Sequence, residues 1–110
     1  LTNKPVRITH RILEGLGIAP LFFEAYGGNS FDRKKPDPVG INALRAQADV
    51  EAGDTWMVGD SHVDVRTARN AGVFACGVIW GFQPESFREH PPDLLIERME
   101  QLADRFNPSR

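Results

Sequence analysis

Two aspartates, Asp60 and Asp64, stand four residues apart in the stretch MVGDSHVDV, where an apolar run stops. If Trp56 to Val58 form a buried strand and the chain then turns into a helix, both carboxylates sit at the carboxyl edge of a sheet, where open α/β folds bind ligands. Such acids are hard oxygen donors of the kind Mg²⁺ takes, usually one or two carboxylates with waters and substrate phosphate. Two further clusters point to the same chemistry. Thr2 and Asn3, in LTNKP, lie at a strand-to-helix turn, where a hydroxyl and free backbone N–H groups converge and the helix dipole favours an anion. Lys35, in RKKPDP, precedes Pro36 on a loop restricted by two prolines, so its ammonium can be aimed at a fixed charge. An anion cradle, a cation and metal-binding acids together describe phosphoryl transfer.

Each cluster has a simpler reading. Thr2 or Asn3 caps the first helix, Lys34 and Lys35 form a solvated turn, and Asp60 caps the helix that contains Asp64, itself a favourable first-turn acid. The joint order of the three favours chemistry over capping. His10, His62 and His90 share no metal-ligand spacing; His10 and His90 read as surface residues, while His62, inside the acidic turn, is a secondary candidate for touching substrate. Cys76 is the sole cysteine, so no disulfide forms within the chain, and its neighbours VFACGVIW are those of a buried strand with no activating base. Trp80 and Phe82, in WGFQPESF, read as packing residues under a loop rather than a stacking platform, on a loop that borders the site if it leaves a strand's carboxyl end.

The elements that must position these residues alternate. From Pro5, Ile8, Ile12, Leu13 and Leu16 recur at helical spacing, with Gly15 and Gly17 near the end. LFFEAYGG reads as a short strand closed by glycines. Asp37 and Pro38 form the cap and first turn of a helix carrying Ile41, Leu44 and Ala48. DTWMVGD is the next strand, followed by a helix from about Ser61 to Ala71 that ends at Gly72. VFACGVIW and DLLIE give two more strands before a C-terminal helix from about Arg98. Strands alternating with helices imply a parallel sheet with helices on both faces.

Composition narrows the partners. With 110 residues, 41% hydrophobic and 25% charged, residues 1–110 read as one ordinary globular domain with enough chain for a core. A formal net charge of -2 and evenly spread Lys and Arg disfavour nucleic acid and anionic membrane surfaces. No apolar stretch approaches the ~20 residues of a membrane span, and nothing resembles a signal peptide, so a soluble, cytoplasmic setting is expected.

LTNKP, KKPDP and MVGDSHVDV, followed by ARNAGVFACGVIWGF, are similar to the second, third and fourth motifs of the haloacid dehalogenase superfamily phosphatases, and resemble the phosphoglycolate phosphatase group in particular. The resemblance runs from Leu1 to about Ile96. It implies a Rossmann-like three-layer α/β/α core, with Thr2 and the backbone of Asn3 binding the transferring phosphoryl group and Lys35 neutralising its charge. It implies that Asp60 ligates Mg²⁺ and that Asp64 binds the metal or orients its waters. The activity implied is hydrolysis of small phosphate monoesters through an aspartyl-phosphate.

The family's nucleophile motif, of the type Asp-x-Asp-Gly-Thr, does not occur in these 110 residues, nor does a helical cap. LTNKP looks like the end of a strand of which only Leu1 remains. The expectation is therefore a C-terminal portion of such a core, lacking the nucleophile strand that normally lies between the strands ending at Thr2 and Asp60. That leaves inner strand edges open, a route to homo-oligomers, and an isolated chain that is inactive. The competing reading is a non-catalytic Mg²⁺- or phosphate-binding module, or a related phosphatase of different substrate.

Overall fold

In the computed structural model, which describes residues 1–106, the apolar runs become three short parallel strands in the order β1-β2-β3: β1 Trp56–Gly59, β2 Phe74–Val78 and β3 Leu94–Ile96. Met57 aligns with Ala75 and Val58 with Cys76, and Cys76 in turn aligns with Leu94 and Val78 with Ile96. Because successive side chains point to opposite faces, this register separates two cores. On one face Met57 and Ala75 pack with Ile41, Val65, Ala68, Val73 and Phe87. On the other, Cys76, Val78 and Ile96 pack with Trp56, Leu94 and Leu102. Helices α2 (Val39–Ala48) and α3 (His62–Ala71) supply the first face and α4 (Met99–Phe106) the second, giving the expected three layers around a parallel sheet.

Helix α3 decides where the acids go. Ser61, extended at φ -154°, is its N-cap: its side chain accepts the Val63 N–H while Asp64 reaches back to the Ser61 N–H, a capping box. Gly72, at φ 71°, ends the helix in the left-handed conformation that favours glycine and redirects the chain into β2. The α3 start is therefore tied to the carboxyl end of β1, as the sequence predicts.

Several expectations need correction. LFFEAYGG forms no strand: Ala19–Leu21 is a 3₁₀ turn and residues 22–26 carry no ladder. Two backbone bonds tie it to the turn at Thr2, from the Thr2 N–H to the Tyr26 carbonyl at 3.1 Å and from the Gly28 N–H to the Lys4 carbonyl at 2.7 Å, and they build no ladder. Helix α2 begins at Val39, with Pro38 in the cap position and Asp37 accepting the Val39 N–H from one residue further back. Trp80 and Phe82 do not pack under their loop; they are 52% and 78% exposed, because the main chain of that loop, not its rings, holds it to the body of the protein. His90 is half-buried against His62, ring centroids 5.5 Å apart, rather than a free surface residue.

The first helix, α1 (Val6–Gly15), forms where its periodicity predicts but buries none of its residues. Cys76 is buried, as its neighbours imply, and burial pushes its thiol up from its ordinary value. Among the described residues no helix is long and apolar enough to cross a membrane.

Candidate active site

The loop that carries Lys35 runs between the turn at Thr2 and the start of α2. Its Lys35–Pro36 peptide is cis. Asn3 and Lys35 are joined by a reciprocal pair: the Asn3 Nδ2 donates to the Lys35 carbonyl at 3.2 Å, and the Lys35 N–H donates to Asn3 Oδ1 at 3.0 Å. From the other side, Asn70 of α3 donates to the Pro36 carbonyl at 2.9 Å. The Lys35 side chain is 13% exposed and reaches Asp64 Oδ1 at 2.6 Å, a short charge-assisted bond.

Asp64 is buried and both its oxygens are engaged, Oδ1 by Lys35 and Oδ2 by the Asp60 N–H at 3.0 Å and the Ser61 N–H at 3.4 Å. Gly59 is required here: a Cβ at that position would lie 2.0 Å from the Asp64 carboxylate. Asp60 faces the other way. Its Oδ2 accepts the Phe82 N–H at 3.0 Å and its carbonyl accepts the Gln83 N–H at 3.1 Å, while no protein donor reaches Oδ1 among the described residues. One oxygen of Asp60 is thus available to a hard cation.

Thr2 is fixed by its N–H to Tyr26, and its Oγ1 accepts the Lys4 N–H at 3.2 Å, leaving the hydroxyl proton for an outside acceptor. The Val6 N–H at the start of α1 is capped across the chain by Asn29 Oδ1 at 2.8 Å, since Pro5 offers no capping side chain.

The residues singled out in the sequence therefore fall into one connected cluster, Asn3 to Lys35 to Asp64 to the Asp60 backbone, with Thr2 next to Asn3. His62 is held by its N–H to Ser86 Oγ at 2.9 Å, its ring lies against His90, and among the described residues its buried Nδ1 has no partner. Sequence reasoning missed the cross-links: the Asn3 side chain, Asn70, Asn29, Ser86 and the 82–83 backbone. Only Ser61 with Asp64 had a legible signal, the S-x-x-D spacing of a capping box. No group of three or more His, Cys, Asp or Glu side chains among the described residues could hold a metal. The donor set fits a hard cation at its lower limit: Asp60 offers one carboxylate oxygen, and a Mg²⁺ shell completed by waters and phosphate takes one or two protein carboxylates.

The site so built is a parallel sheet with two acids at its carboxyl edge, and a buried lysine and the Thr2 turn beside them. The family model described as haloacid dehalogenase-like hydrolase matches residues 1–78, and the chain belongs to that family. A phosphoglycolate phosphatase of Vibrio parahaemolyticus is 37% identical over 105 residues, covering 94% of this chain and 46% of that protein. One from Rhodospirillum rubrum is 42% identical over 84 residues, covering 76% of this chain and 35% of that protein. Among solved structures, a predicted phosphoglycolate phosphatase from Haemophilus somnus matches 100% of this chain and 48% of its own, with a TM-score of 0.86 at 29% identity. A haloacid dehalogenase-like family protein from Streptococcus pneumoniae shares the fold with a TM-score of 0.83 at 19% identity, covering 94% of this chain and 49% of its own. The chain spans about half the length of the curated relatives it matches.

Proposed function

We propose that the full-length protein is a Mg²⁺-dependent phosphatase of small phosphate monoesters, phosphoglycolate favoured, working through an aspartyl-phosphate. The observation that carries this reading is the unbroken chain of bonds from Asn3 through Lys35 to Asp64 and the Asp60 backbone, with the Thr2 hydroxyl beside it. In this reading the Thr2 hydroxyl and the Asn3 backbone N–H hold phosphoryl oxygens, and Lys35 balances their charge. Asp60 Oδ1 is the residue's contribution to the cation, which supplies further charge neutralisation as phosphate enters. Asp64 keeps the Lys35 ammonium aimed and joins the cation through its waters. The relatives named phosphoglycolate phosphatase support the substrate.

A second reading is favoured by one specific observation. Both acids of the cluster already serve backbone N–H groups, and neither is placed as a nucleophile, so these 110 residues by themselves are a phosphate- and cation-binding module. The two readings separate in the full-length protein. There, phosphoglycolate hydrolysis is expected to require Mg²⁺ and to fall by several orders of magnitude in Asp60→Asn, whereas hydrolysis that persists in that variant would remove the metal role given to Asp60. No hydrolysis of any small phosphate ester by the full-length protein would leave the binding module.

A further inference from the structure

A lysine is hard to aim. Its ammonium rides on a flexible four-carbon stem, and holding it at one point means fixing the backbone from which it springs as well as the charge at its tip. The tip of Lys35 is fixed by Asp64. The root has no helix or strand to hold it, because residues 27–38 form neither. It has the Asn3 side chain instead, whose amide takes the one donor and the one acceptor of the Lys35 main chain in a reciprocal pair at 3.0 and 3.2 Å. Two bonds from one planar amide set the peptide units on both sides of Lys35, as a rung of a sheet would.

We infer that the Asn3 side chain is the positioning residue for Lys35: its amide clamps the Lys35 backbone so that the ammonium meets Asp64 and the anion site rather than solvent. This task is separate from the phosphoryl contact given to the Asn3 backbone, and it couples the turn at Thr2 to the lysine loop across 32 residues of sequence. The inference rests on Lys35 being the cation of the proposed phosphate site, but the clamp itself is measurable without that reading.

Exchange of the Lys35 ammonium protons, followed by ¹⁵N NMR of the folded chain and assigned by its loss in Lys35→Arg, is the test. In the unaltered chain exchange should be slower than for exposed Lys4 and Lys34 by about tenfold or more, the mark of an ordered charge-assisted bond. Asn3→Ala should bring Lys35 to within about twofold of those two lysines, and Asn3→Asp, which keeps an acceptor for the Lys35 N–H but sets a carboxylate against its carbonyl, should fall between. Asn29→Ala removes an equally short bond from the same turn, to Val6, and should leave Lys35 unchanged. Unaltered exchange in Asn3→Ala overturns the inference, as does an equal effect of Asn29→Ala, which would make Asn3 one more structural tie. Should Asn3→Ala not fold, Asn3→Asp decides by the same criterion. Titration with inorganic phosphate separates the two levels. With phosphate bound, Asn3→Ala should weaken it about tenfold, an effect absent in a Lys35→Met background. With no phosphate bound by the unaltered chain, the reading of these residues as a phosphate-binding module falls while the exchange rates still decide the clamp.

Discussion

Lys35 and Asp64 are the pair on which the rest of the cluster leans, and the energetics of buried ions say how their loss should appear. Their side chains are 13% and 8% exposed, so removing one partner leaves the other charge largely cut off from water. Lys35→Met should therefore destabilise the fold by about 3 kcal/mol, the low end for a broken buried pair, because Asp64 keeps two backbone N–H donors. Adding Asp64→Asn should recover part of that loss, and urea melts of the two single variants and the double would show it; strict additivity would mean that the pair is not coupled. Asp93 offers a pH signature away from the cluster. The Arg69 guanidinium at 2.8 Å, then the Ala75 N–H, hold its carboxyl below the ordinary aspartate value. A carboxyl lowered on folding contributes stability that is fully present above its unfolded pKa, near 4, and is lost as pH falls through the lower folded value. Melting midpoints of the unaltered chain should thus drop below about pH 4, and Asp93→Asn should flatten that drop while costing about 1 kcal/mol at neutral pH, modest because the site is partly exposed.

At the scale of elements, α3 is the piece whose ends matter. Ser61→Ala removes the side-chain acceptor for the Val63 N–H and should cost about 1 kcal/mol, read as a lower melting temperature. Loss of the cap should also loosen Asp64, which shares the box, so Lys35→Met should cost less in that background. Most of the elements were legible because their signals are local: an apolar run before GDS for β1, Gly72 for the end of α3, alternation of runs and helices for a parallel sheet. LFFEAYGG was misread for a physical reason. Its aromatic, β-favouring composition describes a surface on which a neighbour could lie, and pairing requires that neighbour, which here gives two backbone bonds, at Thr2 and Lys4, and no ladder. Trp80 and Phe82 were misread in the same way, since aromatic type predicts burial only where another element covers the ring. In the candidate site, the residue types and their order were legible, but not the ties between them. The bonds of Asn3 to Lys35 and of Asn70 to Pro36 join residues 32 and 34 apart by unpatterned contacts, and no spacing rule reports those.

The whole molecule is defined by surfaces that its own residues leave open. Among the described residues nothing pairs with the free edge of β1, and beside that edge lies a groove of about 320 Å³ lined by Leu1, Phe23, Ile41, Val50, Trp56 and Val58. Helix α1 leaves Ile8 and Ile12 exposed, as is Leu16 at its C-cap. An open strand edge offers unpaired N–H and C=O groups, and a contiguous apolar surface is rarely left to water, so the two together favour association. A chain of these 110 residues should accordingly run larger than a monomer in light scattering at dilute concentration. The same chain should turn over no phosphate ester. Asp60 and Asp64 are held by backbone N–H groups and by Lys35, the Thr2 hydroxyl meets the Lys4 N–H and no base among the described residues, and burial raises the Cys76 thiol away from its nucleophilic form. A phosphatase assay with and without Mg²⁺ on the purified chain completes the test. A folded, inactive monomer would rule out association alone, and Mg²⁺-dependent turnover would show that one of these side chains acts as a nucleophile.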